Sequence, residues 1–264
     1  MSKHILLVHD LAGYGKVSLS AMMPVLSHMG HHLYTLPTAL VSNTLDYGKF
    51  YIQETTEYMR QSLKVWAELG FSFDVVSTGM ILSAEQAALV SDFCEQSAKK
   101  GALVFVDPIM GDEGKLYNGV GEETIAHMRK MVAVADCIVP NYTEAAYLAD
   151  MPYHEDMTEE EARALTIRLH ETSAKVDGEN CVVGYDGTEG EFFRIPFDLI
   201  PVRFVGTGDI FAAVMLGRLV DGVPLQESTH RAMDAVRTMI DRNRDKEDKY
   251  LGIPIETCLE VLDE

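Results

Sequence analysis

Short apolar runs rich in β-forming residues recur along this chain, separated by longer stretches whose apolar positions fall at helical spacing. The runs lie at 5–8, 75–79, 103–106, 137–140 and 181–185. An apolar run of this length bounded by turn residues reads as a strand buried on both faces. Shorter strands are expected at 33–36 and 39–41. The periodic stretches predict helices over 18–29, 55–70, 83–100, 122–134, 145–150, 158–174, 228–241 and 254–262. Gly30 and Gly70 stand where helices should close. Ser83 with Gln86 behind it opens one, and Lys99 and Lys100 suit its negative end. Asp186 and Gly187, with Gly190, make a turn into 191–195, an antiparallel hairpin. At least five strand–helix units predict an α/β fold: a three-layer α/β/α sandwich with a mostly parallel central sheet, an antiparallel edge hairpin and no separate lid domain. The 264 residues are expected to form one domain, 1–264.

The chain is organised around Val205-Gly206-Thr207-Gly208-Asp209, followed by the apolar run 210–216. The run predicts a buried helix starting at or just after Asp209. A glycine-rich turn entering a helix leaves N–H groups unpaired at the positive end of the dipole, which makes an anion site. An aspartate at that mouth opposes the anion. The conflict resolves if Asp209 is a base that takes a proton from an attacking hydroxyl while the N–H groups hold a transferring phosphoryl group. The plainer reading is a turn with Asp209 as N-cap.

Other strand ends carry chemistry of their own. Asp10 follows the first strand in a turn with Gly13 and Gly15, a stretch that has neither the GxGxxG fingerprint nor the Walker lysine. Ser42, Asn43, Thr44 and Tyr47 form a polar cluster that either binds a small polar molecule or satisfies itself as a turn. Asp107 ends a strand, and Asp112 sits in the glycine-flanked loop after it; acids beside a phosphate site hold Mg²⁺ directly or through water, or make an ordinary acidic turn. Asn141 and Glu144, spaced i, i+3, suit a hard cation or a capping box, and the two can coexist. All of these loops could lie along one edge of the sheet.

Composition narrows the partners. The net charge of −19 argues against nucleic acid and anionic membranes, but not against ATP, because a local nest and a cation override the global field. The four cysteines are scattered without a CxxC pair, as in a reduced cytoplasmic protein. Neither a signal peptide nor a membrane span is expected.

In order and spacing, Asp107-Pro108-Ile109-Met110-Gly111-Asp112, Asn141-Tyr142-Thr143-Glu144 and Gly206-Thr207-Gly208-Asp209 resemble the ribokinase-like superfamily. The stretches at 9–15 and 42–48 are similar to its vitamin B6 kinase branch. The resemblance implies ATP-dependent phosphorylation of the 5′-hydroxymethyl group of pyridoxal, pyridoxamine or pyridoxine, with Mg²⁺ as cofactor and a monovalent cation such as K⁺ left open. It implies Asp209 as base and the amides of Gly206, Thr207 and Gly208 as the anion hole. Asn141 and Glu144 would order Mg²⁺, with Asp107 near the phosphates and Asp112 in the same loop. Asp10, Ser42, Asn43 and Tyr47 would contact the vitamer, and Val205 the nucleotide. It also implies a homodimer. Two departures stand out. Many pyridoxal kinases have serine where Asp10 stands, and an acid there is usual in hydroxymethylpyrimidine kinases, the alternative activity along with other ribokinase-like small-molecule kinases. Some relatives carry a lysine after the strand at 181–184, where this chain has Tyr185 and Asp186. From a different class, a non-catalytic binder on the same fold is the remaining alternative; Asp209 speaks against it.

Overall fold

The computed structural model describes residues 2–154, 156–169 and 171–263. In chain order its elements are β1 (His4–Val8), β2 (Leu11–Ala12), α1 (Leu19–His28), β3 (His32–Thr35), β4 (Ala39–Val41), β5 (Ile52–Glu54) and α2 (Thr56–Leu69). There follow β6 (Val75–Thr78), α3 (Ala84–Ala98), β7 (Leu103–Val106), β8 (Gly111–Asp112), β9 (Lys115–Leu116), α4 (Glu123–Val132), β10 (Cys137–Ile138) and α5 (Tyr142–Ala149). The last third holds α6 (Glu159–Leu169), β11 (Glu171–Val176), β12 (Glu179–Asp186), β13 (Glu191–Pro196), α7 (Thr207–Val220) and α8 (Leu225–Asn243).

The central sheet runs β10-β7-β6-β1-β3, and every pairing in it is parallel. Its strands explain their own composition. Successive side chains point to opposite faces of a strand, and here both faces are covered. Leu6, Val8, Val76, Val104 and Val106 pack on one side with Met59 of α2, Ala87 and Val90 of α3, and Met128 and Met131 of α4. Ile5, Leu7, Val75 and Phe105 pack on the other with Leu19, Met22 and Val25 of α1, Ile210 and Val214 of α7, and Ala232 and Met239 of α8. Layers of helix, sheet and helix result, as the apolar runs predict. Local chemistry sets several boundaries. The Ser83 hydroxyl accepts the Gln86 N–H at the start of α3, and Gly70 closes α2 in the left-handed region at φ 72°.

Four expectations are corrected. The helix expected over 158–174 ends by Leu169; Glu171–Val176 is instead a strand, antiparallel to β12, and His170 lies outside the described residues. The antiparallel hairpin is therefore part of a three-stranded sheet, β11-β12-β13, separate from the central one. The segment 254–262 forms two 3₁₀ turns, Ile255–Thr257 and Leu259–Asp263, rather than one helix. Beside these, β2, β4 and β5 make a small mixed sheet of their own. Finally, α7 begins at Thr207, so Asp209 lies inside its first turn. Among the described residues no helix is long and apolar enough to cross a membrane.

Candidate functional site

Ligands of open α/β sheets bind outside the carboxyl ends of the strands, and the acids flagged by the sequence meet there. Asp10 follows β1 by two residues and Asp107 follows β7 directly. Both are buried, at 7% exposure each. Glu144 enters from the first turn of α5, and Asp209 from the first turn of α7.

The turn before α7 is built for close approach. Gly206 caps the helix from the left-handed region at φ 79°, and no side chain caps that end. The first N–H groups of α7 therefore lack the intrahelical partners that later ones have. A Cβ at Gly206 would stand 2.0 Å from the Lys16 carbonyl oxygen, whereas around Gly208 the space is open. The loop at 13–17 thus clamps one side of the turn and leaves the other free. Gly206→Ala is expected to lower Tm by about 4–10 °C, from left-handed strain plus the displaced loop. Differential scanning calorimetry checks it, and an unchanged Tm would show the clamp to be soft.

Crowded acids in a dry setting resist ionisation. Burial, then the charges of Glu144 and Asp209, hold Asp107 well above the usual carboxylate range. Burial pushes Asp209 up to about 7, opposed by the Ser18 backbone amide and reinforced by Asp10. Asp10 is raised by burial and partly relieved by the Ser18 hydroxyl. Burial also raises Glu144, to about 8, although three backbone amides pull the other way. The Tyr117 phenol is raised by burial and then by Glu144, Asp112, Asp107 and Asp209, which places it beside the same cluster.

Asn141 and Glu144 form a full capping box. Asn141 Oδ1 accepts the Glu144 N–H at 3.1 Å, and Glu144 Oε2 accepts the Asn141 N–H at 2.9 Å. Glu144 Oε1 accepts the Met110 N–H at 3.0 Å, and Asn141 Nδ2 donates to the Gly111 carbonyl at 2.8 Å. The pair therefore fastens the 110–111 loop to the start of α5. This bears on a cation. Both Glu144 oxygens are engaged, and among the described residues no three His, Cys, Asp or Glu side chains converge as a ligand set. Nothing hydrogen-bonds the Asp107 carboxylate among the described residues. The donor set fits a hard cation held by one carboxylate, water and phosphate oxygens, the manner in which Mg²⁺ is usually bound.

The remaining expected residues are placed differently. Ser42 Oγ accepts the Tyr51 N–H and donates to Asn43 Oδ1, while Asn43 Nδ2 donates to the Thr44 and Lys49 carbonyls. The Tyr47 hydroxyl donates to Asp248 at 2.6 Å. These groups satisfy themselves as a turn, and through Gly13 N–H to Val41 O and Thr44 N–H to Tyr14 O the turn braces the 13–17 loop. Asp112 lies across from Arg203, and Val205 lines an open cleft of about 460 Å³ together with Asp46, Arg203, Asp248 and Lys249.

Of the groups that lie idle here, sequence reasoning named Asp209 and missed the others. Buried and without a hydrogen-bond partner are Asp209 Oδ1, Thr38 Oγ1, Thr78 Oγ1 and His9 Nδ1. Buried polar atoms are nearly always paired, so these orphans, after β1, before β4, at the end of β6 and in the first turn of α7, mark where a ligand or water belongs. Thr78 ends an apolar run and Thr38 stands just before one, the only trace they leave in the sequence. Ser18 holds φ 51° and ψ −129°, a region natural only to glycine; nothing in the local sequence announces that strain.

The model of the phosphomethylpyrimidine kinase family matches residues 19–252. A Bacteroides thetaiotaomicron protein described as a phosphomethylpyrimidine kinase, solved in a form with pyridoxal, shares 33% identity. The likeness covers 100% of this chain and 96% of that one, at a TM-score of 0.94. The pyridoxal kinase of Lactobacillus plantarum superposes at a TM-score of 0.87 with 28% identity, over 98% and 96% of the two chains. The pyridoxal kinase of Burkholderia lata is 26% identical over 254 residues, 90% of this chain and 88% of that one. Family model, identity and superposition agree with the acidic centre and its uncapped helix: the chain belongs to the phosphomethylpyrimidine kinase family, within the ribokinase-like superfamily.

Proposed function

We propose that this chain is an ATP-dependent kinase that phosphorylates the 5′-hydroxymethyl group of a vitamin B6 vitamer: pyridoxal, pyridoxamine or pyridoxine. The observation that carries the reading is Asp209, whose Oδ1 is buried and unpartnered beside an uncapped helix N-terminus. A carboxylate there has a task only if a proton-bearing group comes to it. The relatives named as pyridoxal kinases and the one solved with pyridoxal support the acceptor.

In this reading the amides of Gly206, Thr207 and Gly208 receive the γ-phosphoryl group, and their alignment at a helix start stabilises its charge in the transition state. Asp209 takes the proton of the attacking hydroxyl. Val205 borders the nucleotide. Asp107 would hold Mg²⁺, with Asn141, Glu144 and Asp112 ordering the surrounding loop and its water; bound there, the ion would neutralise phosphate charge. Asp10 faces the vitamer, with Ser42, Asn43 and Tyr47 supporting the pocket wall. The chain acts as a single cytoplasmic kinase domain, 1–264, in a homodimer. Its partners are the vitamer and ATP, without nucleic acid or membrane, as suits its net charge of −19.

A second reading keeps the fold and chemistry but moves the acceptor to hydroxymethylpyrimidine. It is favoured by the family whose model matches and by the acid at Asp10. The test is ADP release from ATP and Mg²⁺ in separate incubations with pyridoxal, pyridoxamine, pyridoxine, hydroxymethylpyrimidine and ribose. Turnover with B6 compounds supports the first reading. Turnover with the pyrimidine alone replaces it, and silence throughout removes both.

The raised Asp209 also fixes a pH dependence. A base works when deprotonated, so kcat/KM is expected to rise with pH and to reach half its plateau near the free-enzyme value of about 7. Below that it should fall about tenfold per pH unit. Initial rates between about pH 5 and about pH 9 test this; a flat profile would remove Asp209 as the base.

A further inference from the structure

The acidic centre has a cation at its edge. Arg203 lies three residues before Gly206, on the segment that leads into the turn. Its guanidinium stands 3.6 Å from Asp112 and 4.0 Å from Asp46. Both are loose ion pairs, and the side chain is 55% exposed. Contacts of that kind hold little energy and give way readily to a better anion.

The position matters because of what Asp112 touches electrostatically. Its charge bears on Glu144 and on Tyr117, and Tyr117 also feels Asp107 and Asp209. Arg203 is therefore linked to the centre through one carboxylate. It also borders the cleft beside Val205. The neighbouring cations are otherwise engaged. The Lys249 ammonium donates to the carbonyls of Arg244 and Lys246 and lies 5.0 Å over the Phe204 ring. The Lys16 ammonium is paired with Glu256. A polyphosphate entering a site of four carboxylates, in a chain of net charge −19, meets repulsion that backbone dipoles only partly offset. A planar guanidinium within side-chain reach, held by weak partners, matches phosphate oxygens in a bidentate manner.

We propose that Arg203 is a phosphate-binding residue, which exchanges Asp46 and Asp112 for the β- and γ-phosphates of a nucleotide seated at the Gly206–Asp209 turn. Asp46 and Asp112 then serve as its resting partners and as competitors of the nucleotide. The inference rests on the nucleotide reading given above.

The test is isothermal titration of the full chain with the β,γ-methylene analogue of ATP and Mg²⁺, with pyridoxal titrated separately. Arg203→Gln is expected to weaken analogue binding about 10- to 100-fold and to leave the pyridoxal Kd unchanged. Arg203→Lys, which keeps the charge and loses the fork, should fall between. Asp112→Asn should tighten analogue binding by freeing Arg203, and that gain should vanish in the Asp112→Asn/Arg203→Gln double variant. A gain that persists without Arg203 would mean simple repulsion by Asp112 and would overturn the proposal. So would an analogue Kd for Arg203→Gln equal to that of the unaltered chain. If the unaltered chain itself binds no analogue, the nucleotide reading fails first, and the two failures are told apart by that control.

Discussion

Replacing Asp209 by asparagine is expected to lower kcat by about 10²- to 10⁴-fold, the usual worth of a positioned general base, while leaving nucleotide binding intact or stronger. The amide has the same shape and cannot take a proton. The same substitution should stabilise the protein, and the sign follows from the proton balance. Burial raises the native pKa of Asp209 from 3.8 to about 7. Between those values the unfolded chain has released the proton and the native chain still holds it. The native state is thus favoured at the acid end of the window and loses that advantage as pH rises through about 7. Above it the cost of the buried charge is complete. Taken at about 1.4 kcal/mol per pH unit, and discounted for the solvent that still reaches the residue, it amounts to roughly 2–3 kcal/mol. Asp209→Asn should therefore show no gain in Tm near pH 4 and a gain of about 4–10 °C at alkaline pH. Residual turnover above a few per cent would sink the base assignment. A Tm gain independent of pH would sink the electrostatic account while leaving the base in place.

Glu144→Ala is expected to be the most destabilising single change at the site. The carboxylate accepts backbone N–H groups from Met110 at 3.0 Å, Gly111 at 3.5 Å and Asn141 at 2.9 Å, inside a residue only 3% exposed. Truncation orphans these donors and opens a cavity. At about 1–3 kcal/mol per buried donor left unpaired, with the longest contact counting least, the cost is roughly 3–5 kcal/mol. For a chain of this size that is a fall in Tm of about 10–15 °C. Glu144→Gln keeps one carbonyl oxygen for Met110 and Gly111 and turns an amide nitrogen toward the Asn141 N–H, so it should lie between. Hydrogen exchange should locate the loosening at 110–117 and the start of α5. A small loss of Tm, with normal protection there, would mean that water replaces the carboxylate and that Glu144 is not the fastener of this loop.

These two residues also show how unevenly the site could be read beforehand. The Asn141–Glu144 capping box spans four residues, so its geometry is local and its spacing suffices to expect it. The same holds for the glycines around Thr207 and for the strands at 5–8 and 103–106, where burial on both faces demands an unbroken apolar run. Asp209, Asp107 and Asp10 could be named from their places after strands. Their burial, which chiefly keeps their protons on, and the lesser repulsion among them come only from the sheet order that brings β1, β7 and α7 together.

Elsewhere local signals pointed the wrong way or were silent. The polar stretch Glu171–Val176 reads as the tail of a charged helix. It becomes a strand because β12 lies across from it and supplies a ladder of backbone partners, a gain that propensity cannot see. The cluster at Ser42, Asn43 and Tyr47 has the donors and acceptors of a binding site or of a self-satisfied turn, and its sequence does not show that Tyr51, Lys49 and Asp248 are its hydrogen-bond partners. Arg203 meets Asp112 and Asp46 across 91 and 157 positions of sequence. The sequence by itself determined the layers, the glycine turn before α7 and the acids placed after strands, because periodicity, glycine and strand ends are properties of neighbouring residues. Only the tertiary structure decided which polar groups are satisfied, which stand idle, and which carboxylates are buried deeply enough to resist ionisation, because each of those depends on packing between residues far apart in the chain.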